Sequence, residues 1–298
     1  MKSLKLSLLA AILFVAPQVS NAQYWRAMPA TVTPETSQIL SFSQDEKFVI
    51  YTSTENGVSN IYRVAVKGGA PEAITNFTDG TVLRAISTVG KNWVVFMRPT
   101  AGNGDHHLFR ISQDGKIAPQ DVTPTKAGVN NVIVGASYNG RYVYYTSNQT
   151  SADKHDVYRY DVWQNISELV FANPKDFKPV SWNKEQTLVA LLESSTGKMT
   201  SYDINTTEVK DHNDANDQPA TPERSINGKF GIVRANGAVN LINAQDKQAI
   251  DLGATASNVG VAPKETLIAY TVQQSDGSSK LFLYDVNKKT STELAVVK

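Results

Sequence analysis

One phrase recurs along this chain, and a recurring phrase restricts the fold more than composition does. Phe42-Ser43-Gln44-Asp45-Glu46-Lys47 leads into the apolar run Phe48-Val49-Ile50-Tyr51, then a glycine hairpin, then Ile61-Tyr62. The same order returns from Ser87, Ser137, Ser181, Ser225 and Ala262, which with Ser43 makes six copies at steps of 44, 50, 44, 44 and 37 residues. Each copy holds β-branched or aromatic runs of strand length between Gly, Asn and Asp turns. Beyond the first residues, no segment keeps a 3.6-residue apolar period over helical length. Strands in units of roughly 40–50 residues predict blades. The expected fold is all-β, a six-bladed β-propeller of four-stranded antiparallel blades. A single blade cannot cover both its apolar faces, whereas blades in a ring each pack on two neighbours.

Each word of the phrase has a physical reading. The Ser-x-x-Gly-Lys stretch turns the inner strand into the second, with Gly or Asn taking a positive φ. Gly57, Gly197 and Gly277 sit in or near hairpins to the third strand, and Gly68-Gly69, Gly115 and Asn287 turn into an outer strand. The last repeat supplies its own four strands, from about Ala256 to Val297. The arm before the repeats, Gln23 to Ser37, is expected to add an outer strand or to pack across a face.

The first residues say where the chain works. Lys2 and Lys5 precede the apolar run Leu6–Val15, and Ser20-Asn21-Ala22 offers small residues for cleavage. This is the pattern of a secretory leader over residues 1–22, too short to span ~30 Å of hydrocarbon. No other run approaches spanning length. The 298-residue chain has no Cys, which suits a bacterial periplasmic or secreted protein with a large core. Of its 29 basic side chains two lie in the leader, leaving 27 against 28 acidic ones. That balance argues against a nucleic-acid partner, which needs a basic face.

The repeats over residues 38–298 resemble those of the TolB-like β-propellers, and also the propellers of prolyl oligopeptidase-type enzymes. Phe42-Ser43-Gln44-Asp45-Glu46-Lys47, Ile61-Tyr62, Gly68-Gly69 and Ile74-Thr75 carry the likeness best. The resemblance implies architecture more than function, because propellers host unrelated tasks. TolB has an α/β domain before its propeller and the peptidases have a hydrolase domain. Residues 23–37 have room for neither. The resemblance also implies one catalytic alternative, since TolB-like propellers include metal-dependent pectic-oligosaccharide lyases with central His ligands.

The sequence has no Gly-x-Ser-x-Gly elbow and no thiol. The four His are the residues of interest. His106 and His107 fall in the second-to-third-strand hairpin of blade 2, and His155 in that of blade 3. His212 follows the outer strand of blade 4 in the run Asp211–Asp217. All four belong to the propeller face that carries hairpins and blade connections, with Asp105, Asp153, Asp156 and Asp214. His and carboxylates together suit a divalent metal, but hairpin tips point away from the channel, so solvated loops are the simpler reading. The Asp211–Asp217 run does not fit a calcium loop, because Ala215, Asn216 and Pro222 occupy ligand or glycine positions. Trp93, Tyr144, Trp163 and Trp182 read as core or rim packing. Trp25 stands apart, in the arm.

These readings give an exported, non-catalytic propeller, expected to be monomeric. It would bind an envelope or secreted protein or peptide through its loop-bearing face. Trp25, His106, His107, His155, Asp211, His212 and Asp214 are the candidate binding residues. No cofactor is expected other than a divalent metal in the catalytic alternative. The alternative is a metal-dependent saccharide lyase or hydrolase with its site in the channel.

Overall fold

The structure, a computed structural model, describes residues 25–27, 38–88, 91–100, 105–125, 127–137, 140–152, 154–173, 177–183, 188–193, 195–212, 223–224, 228–235 and 238–297. The expected leader lies outside them. Every regular element among these residues is a strand, and no helix is long and apolar enough to cross a membrane.

The first strand, β1 (Trp25–Ala27), precedes the repeats. Blade 1 is β2 (Ile39–Phe42), β3 (Phe48–Glu55), β4 (Val58–Ala65) and β5 (Glu72–Ala73). Blade 2 is β6 (Arg84–Ser87), β7 (Trp93–Pro99), β8 (His106–Ser112) and β9 (Gln120–Asp121). Blade 3 is β10 (Asn131–Ala136), β11 (Tyr142–Ser147), β12 (Asp156–Asp161) and β13 (Ile166–Phe171). Blade 4 is β14 (Phe177–Asn183), β15 (Leu188–Glu193), β16 (Met199–Asp203) and β17 (Val209–His212). Blade 5 is β18 (Glu223–Arg224), β19 (Phe230–Ala235) and β20 (Ala238–Asn243). Blade 6 is β21 (Asn258–Val261), β22 (Leu267–Gln273), β23 (Ser279–Asp285) and β24 (Thr290–Val297). The inner strands β2, β6 and β10 neighbour one another in turn, and β21 neighbours β2, so first strands line the axis.

Two blades depart from the expected four strands. Blade 5 has its fourth position reduced to two bridges, Val239↔Ala256 and Ile242↔Ala249. Asp251, Gly253 and Ala254 there favour strand poorly. Blade 4 gains a fifth strand, because β1 pairs with β14 on its inner edge. The arm therefore adds an inner strand, where an outer strand or a face crossing was expected.

Two repeat anchors also shift. The turn residue is the one whose N–H reaches the carbonyl five residues on: Ser43 to Phe48 at 2.8 Å, Ser137 to Tyr142 at 2.8 Å, Ala262 to Leu267 at 2.9 Å. In blade 2 Thr88 does this, to Trp93 at 2.9 Å. Ser87 pairs with Val94 inside the strand, as Phe42 does with Val49. In blade 4 the pair Trp182↔Val189 matches Phe42↔Val49, which makes Asn183 the turn residue and leaves Ser181 and Trp182 in β14.

The turns are wired by short polar side chains. Ser43 Oγ donates to Asp45 at 2.7 Å and accepts the Phe48 N–H at 3.0 Å, while Asp45 accepts the Lys47 N–H at 3.2 Å. Ser112 and Asp114 repeat this wiring with Lys116 and Ile117, now between β8 and β9. A second module closes the third-to-fourth turn in blades 3 to 6. Asp161, Asp203, Asn243 and Asp285 each accept backbone N–H groups two or three residues on. Four residues on, Asn165, Thr207, Lys247 and Lys289 take φ 58°, 61°, 58° and 55°. Asn287 lies in the last turn as expected, and the left-handed residue there is Lys289.

Five apolar clusters hold blade on blade. Ile50 and Ile61 pack with Val94 and Phe96 at the first seam. Met97 and Leu108 pack with Tyr145 and Tyr158 at the next. Tyr144 and Val157 meet Val189 and Leu191, and Phe230 and Leu241 meet Ile268 and Tyr270. Ring closure is the same kind of contact, with Ile39, Phe42 and Tyr51 against Ala262, Ala269 and Leu281. Each buried Val, Leu, Ile, Phe or Met side chain among them contributes about 1.5–3 kcal/mol. Closure needs no exchanged strand. It also carries a polar tie, in which the Lys264 N–H donates to Glu46 Oε1 at 2.6 Å. Glu46 holds φ 57° for this, at a position where blades 3 and 5 place Gly140 and Gly228.

Candidate binding face

The second-to-third hairpins and the blade connections emerge together, and the third strand of each early blade opens with a side chain that grips the connection. Register identifies these side chains as equivalent. Asn60 pairs with Ser53, His107 with Arg98 and Asp156 with Ser147, each at the fifth residue of its second-strand frame counted from Val49, Val94 and Val143. Asn60 accepts the Thr75 hydroxyl at 2.8 Å and the Phe77 N–H at 2.8 Å, and donates to the Phe77 carbonyl at 3.1 Å. His107 Nδ1 lies 2.7 Å from Asp121 Oδ2, and its Nε2 lies 3.3 Å from the Thr125 hydroxyl. Asp156 accepts the Asn173 N–H at 2.7 Å and the Thr150 hydroxyl. Three residue types do one job, which is to tie the connection to the blade.

The preceding residue completes the tie. The Ser59 carbonyl accepts the Val82 N–H at 3.0 Å, the His106 carbonyl accepts Asn131 Nδ2 at 3.0 Å, and the His155 carbonyl accepts Asn173 Nδ2 at 3.0 Å. Buried Asp105 adds a further clasp, accepting the Gly128 N–H at 2.7 Å. A buried carboxylate holding a backbone N–H is strongly bonded and is committed to structure.

This arrangement sorts the candidate residues. His107 is 8% exposed and serves as a latch. An imidazole that donates Nδ1–H to Asp121 leaves Nε2 to accept from Thr125. That is the order of an acyl-transfer triad, yet Asn60 and Asp156 fill the same position with the same structural outcome. His106 is half-buried, and burial pushes its pKa down against the opposing pull of Asp105. His155 is exposed. Asp211 and His212 lie in β17, opposite Thr200 and Met199, rather than in a loop after the outer strand. Asp214 and Asp153 lie outside the described residues. Trp25 is in β1, far from this face in sequence and placed on the inner edge of blade 4. Among the described residues no group of three or more His, Asp or Glu side chains is placed to hold a metal ion.

The opposite face carries the turns. There Trp163 is 47% exposed in the β12–β13 turn, with Arg141 Cζ 5.3 Å and Lys91 Nζ 5.8 Å from its ring. Arg141 also grips Asp161 through two nitrogens at 2.9 and 2.6 Å. Burial raises the Asp161 pKa, but Arg141 and the Gln164 and Trp163 amides outweigh it and leave the carboxyl below its ordinary value. Tyr144 is fully buried and Trp93 is partly buried at a seam, as strand packing requires.

Asn60 carried no expectation from the sequence, and Asp156 was marked there only as a carboxylate beside the His residues, not as a latch. Their signal was present: each stands where a hairpin re-enters a strand, just before an Ile-Tyr or Val-Tyr pair.

No family model and no curated protein matches the sequence. Solved structures do match the fold. Oligogalacturonate lyase from Vibrio parahaemolyticus gives a TM-score of 0.51 at 8% identity, over 90% of this chain and 100% of that one. A putative TolB from Agrobacterium tumefaciens gives 0.44 at 13% identity, over 89% of this chain and 82% of that one. TolB from Acinetobacter baumannii gives 0.42 at 13% identity, over 92% of this chain, which spans 56% of the length of that TolB. Together with the sheet order, the lyase match establishes a β-propeller fold.

Proposed function

We propose that this chain is an exported, non-catalytic β-propeller that binds a protein or peptide partner across the face bearing its hairpins and blade connections. One observation carries the reading. On blades 2 and 3 the polar groups best suited to chemistry, His107, Asp105 and Asp156, are spent on tying the blade connections and outer strand in place. What this builds is a stiff, shaped surface, and stiff loop-bearing surfaces suit recognition. His155, and His106 in part, remain available on it.

The test is a cross-linking pull-down from envelope extract, using the processed chain and a His106→Ser/His155→Ser variant as baits. His107 stays intact, since removing a latch would confound the result. Capture of one defined protein by the first bait, reduced at least tenfold with the second at unchanged melting temperature, supports the reading. Equal capture by both baits, or capture by neither, refutes it. Cleavage of oligogalacturonate by the processed chain in the presence of a divalent metal would replace it with the lyase alternative, the reaction class for which the Vibrio structure is named.

A further inference from the structure

The arm strand sits in an unusual place. First strands line the axis of the ring, so a strand added inward of β14 lies in the central channel. The pairs are Trp25↔Asn183, Arg26↔Trp182 and Ala27↔Ser181, antiparallel. β1 also neighbours β18, the first strand of the next blade. It therefore lies along the seam between blades 4 and 5. That is the one seam for which no apolar cluster is defined among the described residues.

The repeat shows which backbone groups meet there. Ser43 turns its N–H toward the second strand, so by pleat alternation Phe42 presents its own N–H and C=O to the channel. Trp182 is the equivalent of Phe42. Arg26 and Trp182 thus form the pair that exchanges both backbone bonds. The ladder cannot extend far along β14. Gln38 faces the second strand, its carbonyl accepting the Thr52 N–H at 2.8 Å, so Ile39 faces the channel. Its equivalent in blade 4 is Pro179, which has no N–H, and a bulge follows between Pro179 and Ser181. The edge that remains is short, pairing only Ser181–Asn183 with Trp25–Ala27. At about 0.5–1.5 kcal/mol per hydrogen bond such a strand is exchangeable.

We infer that the channel edge of β14 is a strand-acceptor site, filled in the free chain by Trp25–Ala27. Its ligand class is an extended peptide segment of a partner, which adds antiparallel to Ser181–Asn183 and displaces β1. Recognition of this kind is β-augmentation, in which main-chain bonds supply the affinity. The inference goes beyond the connector-face reading and rests on a different part of the molecule. It also bears on the lyase alternative, since a strand in the channel occupies the space a channel site would need.

The test uses the full processed chain and a fluorescein-labelled peptide of residues 23–30, followed by anisotropy. Tethered through residues 28–37, the arm competes at an effective concentration on the order of millimolar. The Arg26→Pro variant removes the N–H that bonds Trp182 and so frees the edge. The expected result is peptide binding to Arg26→Pro at least tenfold tighter than to the parent chain. A peptide carrying the same Arg26→Pro change is expected to bind neither. Three outcomes overturn the inference: equal binding of the peptide to both chains, no binding to either, or equal binding of both peptides. A lower melting temperature in Arg26→Pro without peptide binding would make β1 a staple of the seam only. No connector-face partner enters this assay, so its failure and that of the proposed function are separate results.

Discussion

Ring closure can be tested by adding a single methyl group. A Cβ placed on Gly260, in β21, would lie 2.7 Å from Ile39 Cγ2 and 3.8 Å from Ile39 Cβ. Carbon atoms in contact settle at about 3.5–4.0 Å, so Gly260→Ala must open the seam between blades 6 and 1 by roughly 1 Å. Ile39 has little room to yield, being 5% exposed and packed with Phe42, Tyr51, Ala262 and Leu281. Overpacking of this kind costs about 1–3 kcal/mol. Loss of glycine freedom in the unfolded chain returns about 0.4–1 kcal/mol. The net expectation is a destabilisation of about 1–2 kcal/mol, a fall of about 2–6 °C in melting temperature for a chain of this size. Urea titration followed by circular dichroism reads it. Ile39→Ala alone should cost about 2–5 kcal/mol, because it leaves a cavity at the same seam. In the double variant the new methyl group moves into that cavity, so its cost should fall below the sum of the two by about 1 kcal/mol or more. A neutral Gly260→Ala, or strict additivity in the cycle, would show that blades 6 and 1 do not close as described.

Three further outcomes are expected. Thr207→Gly should raise the urea midpoint, by roughly 0.5–1 kcal/mol in stability, because a β-branched residue at φ 61° is released from left-handed strain; an unchanged midpoint would contradict the turn assignment. His107→Ala should cost about 1–3 kcal/mol and speed amide exchange at Val122 and Thr123, whereas His107→Asn, which copies Asn60, should recover part of both; equal effects of the two would sink the latch equivalence. The Ser43 hydroxyl and Lys47 lower the Asp45 pKa to about 2. A depressed carboxylate contributes stability that is present above its unfolded value near 4 and is lost as pH falls through about 2. Asp45→Asn should therefore be less stable than the parent at pH 7 and converge with it near pH 2, and parallel curves across that range would refute the turn wiring.

Much of the blade was legible in the sequence because its causes are local. A run of β-branched and aromatic residues marks strands such as Phe48–Glu55, which is buried along most of its length, and Asn56-Gly57 with φ 51° and 79° is the hairpin that such a pair favours. Small errors had local causes too. Ser87 and Ser181 look like turn residues, but only hydrogen-bond register distinguishes them from Thr88 and Asn183. Asn287 lies in the last turn as expected, but it is the Asp285 carboxylate that sets the turn and places the left-handed conformation at Lys289.

The candidate site was legible by address and not by role. The sequence placed His106, His107 and His155 on the face of hairpins and connections. It did not separate His107, tied to Asp121, from its two neighbours, because that tie joins residues on different strands.

By itself, then, the sequence determined the repeat, the strands within it, and a ring whose sheets must cover one another. Those follow from side-chain periodicity and turn chemistry, which each short stretch carries in its own residues. Only the tertiary structure decided that blade 6 closes on blade 1 through Gly260 and Ile39, that Asn60, His107 and Asp156 are one latch in three chemical forms, and that Trp25–Ala27 enters the channel. The last is a main-chain pairing across more than 150 residues. Backbone donors and acceptors are the same in every residue, so no side-chain pattern could announce where that strand would dock.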